Sequence, residues 1–573
     1  MNPAISISPV KRFLNMLKVD KREIISVYVY ALFNGVITLS LPLGIQAIIN
    51  LISGGQVSTS WFILVIFVIV GVIASGVMQI MQLTITENIQ QKIFTRSAFE
   101  FAYRIPRMKM ESIKNAYIPE LANRFFDTLS VQKGLSKILI DFSSASLQVV
   151  FGLILLSLYH PFFIMFGLLL VVVVYLIFRF TAPKGLKTSI IESKNKYMVA
   201  HWLEELARAM ETFKLAGQTP LPLERTDDVV EGYLTSRKAH FKTLLTQYIN
   251  LVGFKVLVTA GLLLIGGLLV INQQMNIGQF VAAEIIIILV LNSVEKLILS
   301  METIYDVLTS IEKIGNVTDI PLDSDSGTTA DTSDDQGLSI NITNLGYRFS
   351  YLKEDTIKNV NLSIEAGEKI CLSGYNGSGK SLLLHVVSGL YDEYSGSISS
   401  QGVPLTSWCK ADFHKLIGDN LTRGDIFNAT LFENISLGKP EITMSRVQQV
   451  AEIVGLKDFV DAIPQGYYTT LLPEGRNLPQ SIILRIMLAR SIAGNFKMIL
   501  LEDDFNQLNE KDKSSFLDFL LSQQWTVIAV SNDPFVADKF DRTIVMEKGE
   551  IIAKGTVSSM TTYPWYSNIF SKK

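Results

Sequence analysis

Residues 374–381, Gly-Tyr-Asn-Gly-Ser-Gly-Lys-Ser, have the residue types and the spacing of a phosphate-binding loop. The apolar run 369–373 before them predicts a β-strand, and LLLHVVSGL after them predicts a helix. Glycines let backbone N–H groups wrap a triphosphate at a helix N-terminus. Lys380 would neutralise the β- and γ-phosphate oxygens, and Ser381 would offer its hydroxyl to Mg²⁺. The pattern therefore predicts a nucleoside triphosphate site rather than a simple glycine-rich turn.

The chain is too apolar for an ordinary soluble protein of its length. Of 573 residues, 49% are hydrophobic, and the mean hydropathy is +0.33. No charged residue occurs between Ile24 and Thr86, a stretch long enough for two spans of about 20 residues each. Two further apolar pairs follow. The six predicted spans are approximately 24–53, 60–95, 125–159, 161–200, 240–272 and 277–312.

Charge patterning predicts the orientation and the domain boundaries. The three short turns within the pairs carry no Lys or Arg, whereas the long connections between pairs carry many, so both connections and both ends should be cytoplasmic. The connections are rich in helix formers, which predicts helices that continue past the membrane; separate cytosolic helices are the alternative. We predict a transmembrane domain at 1–320, an acidic linker at 321–337 and an α/β domain at 338–573.

Overall charge excludes one class of partner. The 51 Lys and Arg residues nearly balance the 53 Asp and Glu residues, so nothing in the composition indicates binding to nucleic acid. The two cysteines and five histidines have no metal-ligand spacing. Glu284 lies in the sixth span, where an ionisable side chain is costly; it is either a contact for substrate or a coupling ion, or a structural residue near the outer interface.

Six predicted spans, a linker and a phosphate-loop domain follow one another along the chain. This arrangement resembles a half-size ATP-binding-cassette (ABC) exporter. Motifs along residues 342–349, 417–435, 498–503 and 541–549 are similar to those of the family's nucleotide-binding domain, and residues 119–127 are similar to exporters of the haemolysin secretion group. The resemblance implies a six-span α-helical membrane domain of the type I exporter fold, followed by an α/β phosphate-loop domain.

The same resemblance implies the site residues and the partners. Phe349 would stack on adenine, and Ser381 and Glu502 would hold Mg²⁺ beside the bound ATP. The residues assigned to nucleotide contact are Phe349, Gly374, Tyr375, Asn376, Gly377, Ser378, Gly379, Lys380, Ser381, Leu382 and Thr422. The implied setting is the inner membrane of a bacterium, with the nucleotide-binding domain in the cytoplasm. The implied partners are the lipid bilayer, a second half transporter and a periplasmic adaptor protein.

Several positions depart from the family pattern in ways that weaken catalysis. The signature LSGGQ aligns with residues 478–482, Leu-Pro-Gln-Ser-Ile, where Pro479 lacks a donor N–H and Gln480 fills space that glycine leaves open. Pro479 still suits the first position of a helix. The two Walker B acids are exchanged, because Glu502 replaces the metal-organising aspartate and Asp503 replaces the catalytic glutamate.

Three more elements are altered. Thr422 replaces the glutamine that senses metal and water, Asn532 replaces the switch histidine, and residues 507–509 replace the usual Ala-Leu-Asp. An asparagine can hydrogen-bond a phosphate oxygen, but it cannot carry a charge or shuttle a proton. The catalytic positions Asp503, Glu502 and Asn532 are therefore degenerate.

We expect ATP binding with little or no hydrolysis, although the family consists of translocating ATPases. The leading hypothesis is an exporter subunit that couples ATP to movement of a substrate, with a peptide or protein as the cargo that the resemblance suggests. The alternative is a non-hydrolysing, nucleotide-gated scaffold or regulatory half of a secretion complex. The sequence leaves open whether the dimer partner is a second copy or a different chain.

Overall fold

The computed structural model describes residues 8–53, 59–114, 116–329, 336–421, 425–502 and 507–570. The chain divides into two compact units, which we call the helical unit (Met1–Arg107 and Asn115–Ile320) and the α/β unit (Met108–Lys114 and Pro321–Lys573). The short segment Met108–Lys114 thus belongs to the α/β unit, although residues of the helical unit flank it in sequence.

The helical unit contains the predicted six spans. Within the described residues, six helices are long and apolar enough to cross a membrane, which confirms the predicted number. A shorter helix, Pro9–Val19, precedes them. The six helices are Lys21–Ile49, Thr59–Arg107, Ile118–Ser157, Phe162–Arg208, Leu221–Ile271 and Ile277–Thr318.

These helices are much longer than the bilayer requires. Thr59–Arg107 has 49 residues and Leu221–Ile271 has 51, against about 20 for one crossing. The helix-forming connections therefore continue the spans, as predicted, and only the short helices Met110–Ile113 and Met210–Leu215 are described between them. The first span is broken between Lys21–Thr38 and Ser40–Ser53. Pro42 explains this break, because a proline ring clashes with the carbonyl four residues earlier.

Three buried polar side chains in the helical unit form a hydrogen-bonded group. Gln247 Nε2 donates to Tyr305 Oη at 2.7 Å and to Thr181 Oγ1 at 2.9 Å. A Cβ at Gly185 would lie 2.4 Å from the Tyr305 ring, so glycine is needed for this close approach. Glu284 is half-buried on the sixth helix, and its role remains a prediction.

Two sheets form the α/β unit. The first has the order β2-β1-β4-β5 and is antiparallel, and the second has the order β10-β9-β3-β8-β7-β6. In the second sheet β9, β3, β8, β7 and β6 are parallel, and β10 adds antiparallel to β9. The strands are β1 Ile340–Tyr347, β2 Ile357–Ile364, β3 Lys369–Gly374, β4 Ser395–Ser400, β5 Val403–Pro404, β6 Ile417–Asp419, β7 Met498–Leu501, β8 Thr526–Val530, β9 Arg542–Glu547 and β10 Glu550–Gly555.

The middle strands of the second sheet are buried on both faces. Every residue of β3, β7 and β8 is buried, which is why these strands read as continuous apolar runs rather than as alternating patterns. Helices cover the sheet. They are Lys380–Val387, Lys410–Lys415, Leu431–Ser436, Met444–Ile453, Lys457–Ala462, Gln480–Ala493, Glu510–Ser522, Pro534–Asp538, Val557–Met560 and Tyr566–Ile569.

The segment Met108–Lys114 contains a short helix, Met110–Ile113, that contacts the rest of the α/β unit. Glu111 Oε1 accepts a hydrogen bond from the backbone N–H of Asp392. The Lys114 ammonium lies 5.1 Å from the centre of the Tyr347 ring, within the range of a cation–π interaction. These contacts fix the segment on the surface of the α/β unit.

Candidate nucleotide-binding site

The phosphate loop connects β3 to the helix Lys380–Val387, as the sequence predicts. Gly374 has φ 143° and Gly379 has φ 98°, both in the left-handed region that favours glycine. A Cβ at Gly374 would lie 2.1 Å from Met546 O, and one at Gly379 would lie 3.2 Å from Thr356 O. The loop can therefore follow this path only with glycine at these two positions.

Lys380 is buried within its own loop. Its Nζ donates to Gly374 O at 2.7 Å and to Tyr375 O at 2.9 Å, and lies 3.4 Å from Ser378 Oγ. These contacts hold the ammonium at the mouth of the helix, where the backbone dipole also favours an anion. The arrangement fits a phosphate group, whose oxygens can take the place of the loop's own acceptors.

The cleft above the loop has a volume of about 350 Å³. Its lining includes Asn376, Gly377, Ser378, Gly379, Lys380, Ser381, Leu382, Glu502 and Asn532. The structure thus brings together most of the residues that sequence reasoning assigned to phosphate and metal. Thr422 and Asp503 lie outside the described residues.

Ser381 and Glu502, which the sequence predicts as metal ligands, are in contact with each other. Ser381 Oγ donates to Glu502 Oε2 at 3.0 Å, and Glu502 is only 5% exposed. A hydroxyl and a carboxylate are hard oxygen ligands, and Mg²⁺ commonly takes one or two such protein ligands together with phosphate oxygens. The pair therefore fits Mg²⁺ bound with a nucleotide. No cluster of three metal-binding side chains occurs in the described part of the chain.

Phe349 does not line this cleft. It follows β1 by two residues, and its ring lies 5.3 Å from Tyr347 in an edge-to-face arrangement. Tyr351 stacks on Phe349 with the ring centres 5.4 Å apart. The predicted stacking of adenine on Phe349 therefore requires the base to extend from the phosphate loop toward this aromatic cluster.

Asn532, at the position of the switch histidine, contacts the phosphate loop. Its Oδ1 accepts from Gly374 N at 3.0 Å, and its Nδ2 donates to Gly374 O at 3.1 Å. Both polar atoms of the side chain are thus bound to one backbone residue. The sequence placed Asn532 near the phosphates, but the hydrogen bonds to Gly374 could not be read from it.

The altered signature begins the helix Gln480–Ala493, with Pro479 as its N-cap. The prediction that Pro479 is the first helical residue is wrong, because its ψ of 143° is extended. Pro479 O nevertheless accepts from Ile482 N at 2.9 Å, so the proline ends the preceding loop without disturbing the first turn. The helix therefore forms although other residues replace the glycines of the usual signature.

Sequence reasoning missed two polar residues. Thr356, at the start of β2, lines the cleft, and Asn420, directly after β6, is 2% exposed beside Glu502. The carboxyl ends of parallel strands meet at one edge of a sheet, which is where α/β domains place ligands. An asparagine directly after a buried strand was therefore a usable signal for Asn420.

The strand β6 also carries a carboxyl with a shifted pKa, that of Asp419. Burial raises the pKa of Asp419 above its ordinary value, although a hydrogen bond from Leu421 N and attraction to Arg490 act in the opposite direction. Asp419 Oδ1 accepts from Leu421 N at 3.1 Å. A half-buried carboxyl therefore lies at the end of β6, directly before Asn420.

Comparison with known proteins assigns both regions. The family model described as ABC transporter transmembrane region matches residues 24–294, and the model described as ABC transporter matches residues 357–506. In structure the chain is similar to a bacterial Atm1-family ABC exporter with ATP bound. The TM-score is 0.84 at 16% identity, over 96% of this chain and 97% of that chain.

Among curated relatives, the transport/processing ATP-binding protein ComA of Streptococcus pneumoniae is 23% identical over 76% of this chain and 61% of the relative. The alpha-hemolysin translocation ATP-binding protein HlyB of Escherichia coli is 26% identical over 63% of this chain and 51% of the relative. The chain thus spans between 51% and 61% of the length of these two relatives.

The family models and the fold agree with the order of motifs in the sequence. The two family models cover the apolar helices and the phosphate-loop domain, and the type I exporter fold predicted from the sequence is confirmed. Such a chain is a multi-pass membrane protein with its nucleotide-binding domain in the cytoplasm. The chain belongs to the ABC transporter family, and its membrane region and ATP-binding domain lie in one polypeptide with the type I exporter fold.

Proposed function

We propose that this protein is an exporter subunit that binds ATP with Mg²⁺ and hydrolyses it slowly or not at all. The observation that carries the proposal is a contrast between the phosphate-binding residues of the cleft and the residue types at the catalytic and signature positions of the sequence. The phosphate loop, Lys380 and the Ser381–Glu502 pair have the geometry of nucleotide binding. The residues that would activate water or complete the site from a partner subunit are altered.

Binding would use residues whose placement is favourable. Lys380 would exchange its hydrogen bonds to Gly374 O and Tyr375 O for phosphate oxygens. When bound, Mg²⁺ would supply positive charge to the phosphates. Ser381 and Glu502 would hold it. Each of these interactions stabilises bound nucleotide without requiring a proton transfer.

Hydrolysis would lack several of the groups that activate water or move a proton. Asn532 has no titratable proton, and both of its polar atoms are engaged by Gly374. A one-methylene change at a Walker B acid moves its carboxylate by about an ångström, and a misplacement of this size can cost about 10²-fold in rate. In a dimer, phosphate held by a second subunit would face the side chain of Gln480, and Pro479 would offer it no backbone N–H.

For the cargo, the relatives favour a peptide or protein. The name of ComA refers to transport/processing, and the name of HlyB refers to alpha-hemolysin translocation. We therefore propose export of a peptide or protein across a bacterial inner membrane by a dimer of half transporters, with a periplasmic adaptor. The dimer partner is either a second copy or a different half transporter.

A second candidate is a non-hydrolysing, nucleotide-gated scaffold that regulates a secretion complex. The two hydrogen bonds between Asn532 and Gly374 favour it, because they occupy the switch position with a structural contact. ATP bound without turnover would still shift the equilibrium between conformations by its differential affinity for them.

Vesicles that contain the purified protein distinguish these functions. Adding ATP and a fluorescent peptide library on the nucleotide-domain side should give ATP-dependent uptake if the protein exports peptides. Lys380→Ala vesicles are the control for leakage. Nucleotide binding in the absence of uptake, also when a candidate adaptor is added, would favour the scaffold.

A further inference from the structure

Two asparagine side chains hold the backbone of residues that belong to the nucleotide site, Gly374 and Glu502. Asn420 follows β6, and Asn532 follows β8 by two residues. Neither side chain carries a charge, and each binds backbone atoms of another strand end. Their contacts suggest a role that differs from direct contact with phosphate.

Asn420 fixes the residue that holds the metal. Its Oδ1 accepts from Glu502 N at 2.7 Å, and its own N–H donates to Leu500 O at 3.3 Å. The bond to Leu500 is made within β7, and the bond from Glu502 is made directly after β7 ends at Leu501, so together they extend the pairing of β6 with β7. Because the backbone of Glu502 is fixed, its carboxylate is positioned for the contact with Ser381.

Asn532 fixes the start of the phosphate loop. β3 pairs with β8 as far as Leu372 and Val530, and Ser531 N then donates to Leu372 O at 3.0 Å. One residue further on, the Asn532 amide replaces the backbone and pairs with Gly374 through both a donor and an acceptor. The carbonyl of Gly374 also accepts from Lys380 Nζ, so the same clamp orients the lysine.

We propose that Asn420 and Asn532 are positioning residues for Mg²⁺ and for ATP phosphate, respectively. Asn420 acts through Glu502 and so affects the metal, whereas Asn532 acts through Gly374 and Lys380 and so affects the nucleotide whether metal is present or not. Partners that orient a metal ligand typically change metal affinity 10–100-fold when removed. The inference rests on the proposed function, because it assumes that ATP and Mg²⁺ bind in this cleft.

The test is calorimetric titration of the full chain in lipid nanodiscs with ATP, in EDTA and over a range of Mg²⁺ concentrations. For Asn420→Ala, we expect an unchanged Kd for ATP in EDTA and an increase of about tenfold in the Mg²⁺ concentration that gives the half-maximal gain in ATP affinity. For Asn532→Ala, we expect Kd to rise by about tenfold in EDTA and in Mg²⁺ alike.

Asn361→Ala is the matched control. Asn361 is an exposed asparagine on β2 whose Oδ1 also accepts a backbone N–H, from Asn344 at 2.8 Å, and it does not line the cleft. Its variant should bind ATP and Mg²⁺ like the parent. A readout without ligand is hydrogen exchange over residues 374–379, which should be faster in Asn532→Ala and unchanged in Asn420→Ala.

Asn420→Ser and Asn532→Ser replace the alanine variants if those do not fold. Serine offers a shorter donor and acceptor at each position and adds no charge beside the phosphates, so both variants should shift binding in the same directions by smaller factors. Equal Kd values and Mg²⁺ midpoints in parent and variants would overturn the inference alone. Failure of the parent to bind ATP would instead overturn the proposed function.

Discussion

At the scale of single residues, nucleotide binding depends on a buried ammonium that the loop itself prepares. Lys380 is 9% exposed, and two backbone carbonyls already hold its Nζ at the N-terminus of the helix Lys380–Val387. Little side-chain freedom remains to be lost when phosphate binds, so the lysine is preorganised.

Lys380→Ala should therefore weaken ATP binding strongly. Hydrogen bonds to charged groups contribute about 1.5–3 kcal/mol each, so the loss of this ammonium should raise Kd by at least about tenfold. Fluorescence titration of the purified protein with a labelled ATP measures the effect. Lys511→Ala, which removes an exposed lysine of the helix Glu510–Ser522, is the control and should not change Kd.

Restoring the switch histidine alone should not restore catalysis. In Asn532→His, imidazole cannot both donate to and accept from Gly374 as the amide does, so ATP affinity should fall by about tenfold or less. Phosphate release should not rise, because the Walker B and signature positions remain altered. A clear gain in Mg²⁺-dependent release with this single change would show that the histidine position alone limits turnover.

At the scale of secondary-structure elements, local sequence patterns predicted the strands and helices well, whereas contacts between distant segments had to come from the structure. The phosphate loop could be predicted because an apolar strand, a glycine-rich turn and a helix are adjacent in sequence. The clamp of Asn532 on Gly374 joins residues 158 positions apart, so no local pattern contained it. The start of the signature helix was misplaced by one residue, because proline suits both the N-cap and the first turn.

The strand β6 carries a half-buried carboxyl, Asp419, that should destabilise the fold at neutral pH. Burial raises the pKa of Asp419 in the folded state above its value in the unfolded chain. The folded state therefore binds the proton more tightly, and stability is lost as pH rises through these two pKa values. Asp419→Asn keeps an acceptor for Leu421 N without the charge.

Asp419→Asn should accordingly raise the melting temperature at pH 8, and the gain should shrink as pH falls toward about 4, the ordinary pKa of an aspartate. Differential scanning fluorimetry between pH 5 and pH 8 measures this difference. A gain that is larger at pH 5 than at pH 8, or a loss at pH 8, would contradict the assignment of a raised pKa to Asp419.

At the scale of the whole molecule, membrane topology follows from the charge pattern and from the six long helices. The short turns without Lys or Arg should lie outside the cytoplasm, and the long helical connections should lie inside. Both native cysteines are buried, Cys371 at 0% and Cys409 at 7% exposure, so engineered surface cysteines should label over a low background.

We predict opposite labelling of two engineered cysteines. Gln274→Cys lies in the exposed turn between the fifth and sixth helices, and Lys214→Cys is exposed in the connection between the fourth and fifth. In bacterial spheroplasts that express the protein, an impermeant maleimide should label position 274 directly. Position 214 should label only after the membrane is opened. The reverse pattern would invert the assigned topology and place the nucleotide-binding domain outside.

The most direct test of the central claim is the rate of phosphate release by the full chain in lipid, with Mg²⁺-ATP at a concentration that saturates binding. The account predicts bound ATP together with a release rate close to that of Asp503→Asn, because the altered residues cannot support catalysis. Rapid release that requires Mg²⁺ and is abolished by Asp503→Asn would contradict it.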